Sequence, residues 1–260
     1  MVSRIDRKAI ICVLTIICFH IVGCSGISKE DKNLIRKINS KYYSVKSQGV
    51  KSIRFEYISD KFLAALDQIK NQSVKEEMKK VKFYTTWKPN NKIITNVNNR
   101  PKFRSLKAET ALIQMFGGVK TQSRAIFIML SSVMDNILYE KNIRRITVVS
   151  DSDYEFIEIK DKSNAIARQK YKKPDYLLVE DEFIRDKNII AVMKYKFDIY
   201  NGQYLLRFVR TSFKDGRVND LEIDYDKKDG VLLLKTIKIN SSTNPKISDT
   251  ITLIPLEIVK

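Results

Sequence analysis

Three dipeptides, Asn201-Gly202, Asp215-Gly216 and Asp229-Gly230, punctuate runs in which apolar and polar residues alternate. A two-residue β-turn needs positive φ at its central positions, which Asn, Asp and Gly adopt at least cost, so each dipeptide marks a hairpin. Before the first, Ile189, Ala191, Met193, Tyr195, Phe197 and Ile199 alternate with Ile190, Val192, Lys194, Lys196, Asp198 and Tyr200. Strands are expected over 204–213, 218–226 and 231–240, with a last one near 249–258 that Pro255 interrupts. From Arg145 onward the chain is therefore predicted to be an antiparallel meander of at least about five long strands.

The region before the meander is mixed. Ser28-Lys29-Glu30-Asp31 has the layout of a capping box, and Leu34, Ile38, Tyr42 and Val45 recur at helical spacing, which predicts a helix over 29–47. After Gly49 the period changes to two and predicts a strand over 50–58. Asp60 and Ser73 are candidate N-caps of two short helices carrying Phe62, Leu63, Leu66, Ile69 and Met78. Val81, Phe83, Thr85 and Trp87 then share one face of a strand that pairs with 92–97 across Pro89-Asn90-Asn91. Residues 105–140 carry a long apolar set: Leu112, Ile113, Met115, Phe116, Ala125 through Leu130, Val133, Met134, Ile137 and Leu138. Gly117-Gly118 is expected to divide this region into two helices, and Ala125 to Leu130, apolar all round, is expected to be buried on most sides.

The first residues constrain destination rather than fold. A basic stretch (Arg4, Arg7, Lys8) precedes an apolar run from Ala9 to Cys24 that is broken by Thr15 and His20. Such a run, about 16 residues long, falls short of the roughly 20 that a helix needs to cross a bilayer, and its layout is that of a secretion signal. Ile21-Val22-Gly23-Cys24-Ser25 resembles the lipobox of bacterial lipoproteins. The resemblance implies a signal peptide over 1–23, cleavage between Gly23 and Cys24, and acylation of Cys24. The expected localisation is export with a lipid anchor in the envelope, and Ser25 after the cysteine permits the outer membrane, facing the periplasm.

All three cysteines (Cys12, Cys18, Cys24) and the one histidine (His20) lie in this segment. A chain cut before Cys24 therefore keeps one thiol, which the lipid consumes. That excludes a disulfide, thiol or imidazole catalysis, and a Cys/His zinc site. No catalytic residue is assigned, and neither enzyme activity nor a cofactor is expected. The formal charge is +18, and the leader takes +2 of it through Arg4, Arg7, Lys8 and Asp6, leaving +16. On an exported chain such charge points to anionic lipid or envelope polymers rather than nucleic acid, or is simply a solvated lysine surface.

An N-terminal helix, a large antiparallel meander and a central apolar helical insertion together resemble the LolA/LolB superfamily of lipoprotein carriers. The hairpin Tyr225 to Lys235 is similar to the pattern Y-x-x-x-x-G-x-x-L-P-K, with Gly230, Leu233 and Lys235 in place and Leu234 standing where the pattern has proline. The resemblance implies an α+β fold over 24–260, in which a large curved antiparallel sheet forms a half-open barrel with helices against its concave face. It also implies an apolar cavity for acyl chains. Trp87, Phe83, Met115, Phe116, Phe127, Met129, Leu130 and Met134 are the candidate lining residues, since Met and aromatic side chains accommodate irregular lipid tails. The same residues are equally the stuff of an ordinary core. Two functions follow: a membrane-anchored envelope lipoprotein that binds lipid or acylated protein, or a structural or interaction lipoprotein whose core is filled. Asp151 to Glu155 is expected to be an acidic turn rather than a hard-cation site, and Glu180-Asp181-Glu182 a solvated turn.

Overall fold

A computed structural model describes residues 27–90, 92–102, 106–138, 143–161, 166–243 and 248–260. Twelve strands form one sheet that does not close. They are β1 (Ser52–Ser59), β2 (Lys82–Lys88), β3 (Lys92–Asn98), β4 (Ile143–Ser150), β5 (Tyr154–Asp161), β6 (Ile166–Lys172), β7 (Leu177–Arg185), β8 (Asn188–Tyr200), β9 (Gln203–Phe213), β10 (Val218–Lys228), β11 (Val231–Ser241) and β12 (Asp249–Val259). Five helices accompany them: α1 (Lys29–Ser40), α2 (Asp60–Asp67), α3 (Gln72–Lys79), α4 (Leu106–Met129) and α5 (Ser131–Met134).

The strand order is β3-β2-β1-β12-β11-β10-β9-β8-β7-β6-β5-β4. The meander β4 to β12 is thus extended by β1, which pairs antiparallel with β12, and then by β2 and β3. The register of β1 on β12 shifts between Arg54 and Phe55, where Leu256 is left out of the pairing next to Pro255, which brings no N–H to the ladder. Asn201-Gly202 and Asp229-Gly230 both have positive φ at the two turn residues, as the sequence predicts. At Asp215-Gly216 only the glycine does, and the Phe213 amide bonds to the Arg217 carbonyl around a three-residue loop. A fourth hairpin, at Asp186-Lys187, bends through positive φ without any glycine.

The helices depart from their expected bounds in ways the packing explains. Ser28 and Asp31 form the capping box of α1, but the helix stops at Ser40. The chain then turns so that Tyr42 and Tyr43 enter different clusters and a 3-10 turn covers Lys46–Gln48. Ser59 and Asn71, rather than Asp60 and Ser73, cap α2 and α3. Gly117-Gly118 does not divide the central helix, since α4 runs through both. Leu112, Phe116, Val119, Ser123, Ile126 and Leu130 are buried on one continuous stripe, and that burial outweighs the roughly 1 kcal/mol a helical glycine costs.

Buried residues fall into two clusters. The larger joins α2, α3, α4 and α5 to β1, β2 and β9 to β12; the smaller joins α1 to β5, β6, β7 and the start of β8. Ser123 of α4 bonds Thr85 of β2 at 2.7 Å and Thr95 of β3 at 3.1 Å, fixing the helix on that end of the sheet. No helix among the described residues is long and apolar enough to cross a membrane.

Candidate functional site

Gly23 and Cys24 lie outside the described residues. The eight candidate lining residues all belong to the larger cluster: Phe83 and Trp87 on β2, Met115, Phe116, Phe127 and Met129 on α4, and Leu130 and Met134 beside and within α5. Within it, ring meets ring. Phe62 and Phe83 lie 5.0 Å apart, Phe83 and Phe116 5.7 Å, and Phe55 and Phe127 5.6 Å. Trp87, Phe127, Leu130 and Met134 are at most 1% exposed, whereas Met115 and Met129 stay partly exposed at its border. The sequence-predicted set is thus brought together as mutually packed core.

Apolar surface that remains partly accessible lies on β8, between the two clusters. Met193, Tyr195 and Phe197 pack against both clusters and are only half-buried. Phe197 stacks on Tyr195 at 6.1 Å and meets the Tyr42 ring edge-on at 5.3 Å. Tyr42 is itself fixed, since its hydroxyl donates to the Tyr176 carbonyl and accepts from the Leu178 amide, each at 2.6 Å. Tyr43 makes the equivalent pair of bonds to Leu232 and faces Tyr200 at 5.6 Å. A rigid aromatic border therefore flanks the β8 strip.

The strand register carries a polar row through this strip. Ile157, Gln169, Asp181, Met193, Thr211, Asn219 and Ser241 are successive cross-strand partners from β5 to β11 and share one face. Asp181 is 4% exposed. Its Oδ2 accepts from Gln169 Nε2 at 3.1 Å, and Gln169 Oε1 accepts from the Tyr171 hydroxyl at 2.8 Å, but Oδ1 has no partner. Asn219 Oδ1, three strands along, is likewise buried without one. Burial pushes the Asp181 carboxyl up to about 7, against the pull of the Gln169 bond and with a further push from Glu182. Burial also raises the Tyr195 hydroxyl well above its ordinary range, and the nearby Asp181 charge adds to this.

The other two buried aspartates among the described residues are fully engaged. Asp249 accepts from the Ser59 hydroxyl (2.7 Å), Gln122 Nε2 (2.7 Å) and the Lys61 amide (3.0 Å), tying β1, α2, α4 and β12 together. Asp135 takes Lys46 Nζ on one oxygen and the Asn90 amide on the other. Asp181 thus stands apart as a buried carboxylate with a free oxygen beside accessible apolar surface.

The expectation of a solvated turn at Glu180-Asp181-Glu182 is corrected: all three residues lie within β7. In a strand, neighbours point to opposite faces, so Glu180 and Glu182 reach Lys194 and Arg168 on one side while Asp181 is forced inward on the other. The legible signal was the flanking apolar residues, Leu177 to Val179 and Phe183-Ile184, which mark a strand rather than a turn. Of the acidic turn expected at Asp151 to Glu155, Asp151 to Asp153 turn between β4 and β5, with Asp151 Oδ1 accepting the Asp153 and Tyr154 amides at 2.9 and 2.6 Å, whereas Tyr154 and Glu155 already belong to β5. No protein family profile, curated protein or solved structure matches the chain.

Proposed function

We propose that this chain is a lipoprotein anchored through acylated Cys24 in the cell envelope, at the outer membrane facing the periplasm. In this reading the unclosed sheet is a half-open barrel with helices against its concave face. The β8 strip of Met193, Tyr195 and Phe197 receives the apolar chain of a lipid or an acylated protein. The observation that carries the reading is that strip, because apolar side chains left accessible between two buried clusters lack contacts that a ligand would supply. The net positive charge of the chain favours approach to anionic membrane surfaces.

Anchoring is tested by metabolic labelling with palmitate: wild type takes up label and Cys24→Ala does not, while label retained by the variant refutes the anchor. Binding is tested with a fluorescent fatty acid. Met193→Trp, which fills the strip, is expected to abolish the signal without lowering the melting temperature. A second reading, an interaction lipoprotein with a filled core and no ligand, draws support from the ring-to-ring packing of Phe62, Phe83 and Phe116. Absence of any probe binding by wild type would decide for it.

A further inference from the structure

Asp181 is a poor residue to bury for packing alone. A carboxylate removed from water with one oxygen unpaired is costly unless it takes a proton or finds a donor. Among the described residues Gln169 is the one side chain that donates to it, and no cation is paired with it. Its partner across the strand pair is Met193, about 4.8 Å away in the hydrogen-bonding direction and an unbranched, adaptable side chain. Next to Met193 on the same strand and face stands Tyr195, whose ring is stacked on Phe197. The free oxygen therefore lies beside the Met193 end of the partly accessible apolar strip.

We infer that Asp181 receives the ammonium group of an amine-bearing amphiphile whose chain lies along Met193, Tyr195 and Phe197. This rests on the reading of the β8 strip as an acyl site. An alkylammonium group matches the surroundings in two respects. It brings N–H donors for Oδ1 and a positive charge that keeps the carboxyl ionised. A hard metal ion does not fit, since it needs about six oxygen ligands and the neighbours here are a thioether, aromatic rings and one amide. A plain alcohol would leave the charge uncompensated. Asn219 Oδ1, three strands along the row, offers a second acceptor to a longer polar head.

The test uses the full acylated protein held in an amphipathic polymer, with empty polymer as the blank. A bound fluorescent fatty acid is displaced by dodecylamine, dodecanol or dodecanoate, each below its micelle concentration. Dodecylamine is expected to displace the probe at concentrations roughly tenfold lower than dodecanol. Asp181→Asn should erase that difference while leaving displacement by dodecanol unchanged. Asp181→Ser, which removes the charge without introducing an amide, should do the same. Equal displacement by amine and alcohol in wild type, or an amine preference that survives both substitutions, overturns the ammonium site and leaves the acyl site standing. If wild type binds no probe, the acyl site falls and the ammonium site falls with it.

Discussion

Asp181 carries a pH signature of its own. Its carboxyl rises from 3.8 to about 7 on folding, so the folded protein holds this proton more tightly than the unfolded chain. The stability it contributes is fully present below pH 3.8 and is lost as pH rises through about 7. At 1.36 kcal/mol per decade the total is at most on the order of 4 kcal/mol. The two tyrosine hydroxyls that face it, Tyr171 and Tyr195, are pushed well above their ordinary range by burial and so do not titrate between pH 5 and 8. Urea midpoints of wild type are therefore expected to fall across that window, and those of Asp181→Asn to fall less, so that the variant gains on wild type as pH rises. A parallel pair of curves would mean that Asp181 stays ionised throughout. This residue was legible only in part. Three consecutive acids have the composition of a turn, and the inward direction of the middle one follows from strand parity once β7 is recognised.

At the scale of elements, the central helix is where local propensity and packing disagree most. Gly117 is exposed, has helical φ, and a Cβ added there would meet nothing within 4 Å. Gly117→Ala is expected to stabilise the protein by about 0.5–1 kcal/mol, read as a melting temperature higher by about 1–4 °C. A decrease would show that α4 does not continue through this point. The paired glycines suggested a break because propensity is local, whereas the stripe from Leu112 to Leu130 that keeps the helix whole is visible only with the sheet beneath it. The hairpins were more legible: Asn201-Gly202 and Asp229-Gly230 bend as their side chains dictate. Asp186-Lys187 was not foreseen, because a lysine at positive φ is held there by the flanking β7–β8 ladder rather than by its own preference.

For the whole molecule, alternation along the chain predicts that most of it after Arg145 is β, and β4 to β12 are strands, with β7 running through the 180–182 segment expected to turn. The order of strands was not legible, since nothing in the residues of β1 names β12 as its neighbour. That pairing puts β12 between β11 and the β1–β3 group, and Asp249 at its start holds Ser59, Lys61 and Gln122. Removing residues 249–260 is therefore expected to abolish the cooperative melting transition rather than trim an edge. A truncated chain that still melts sharply near the wild-type temperature would contradict this. The same pairing bears on biogenesis. The Ser59 to Asp249 bond closes a separation of 190 residues, and neither partner can form it until the ribosome has produced both. A nascent chain with β1 already made but β12 still to come has one side of its first strand unpaired and its main polar knot untied. Such a chain can complete its sheet only once β12 has been made, so the last strand sets when the two halves of the sheet become one.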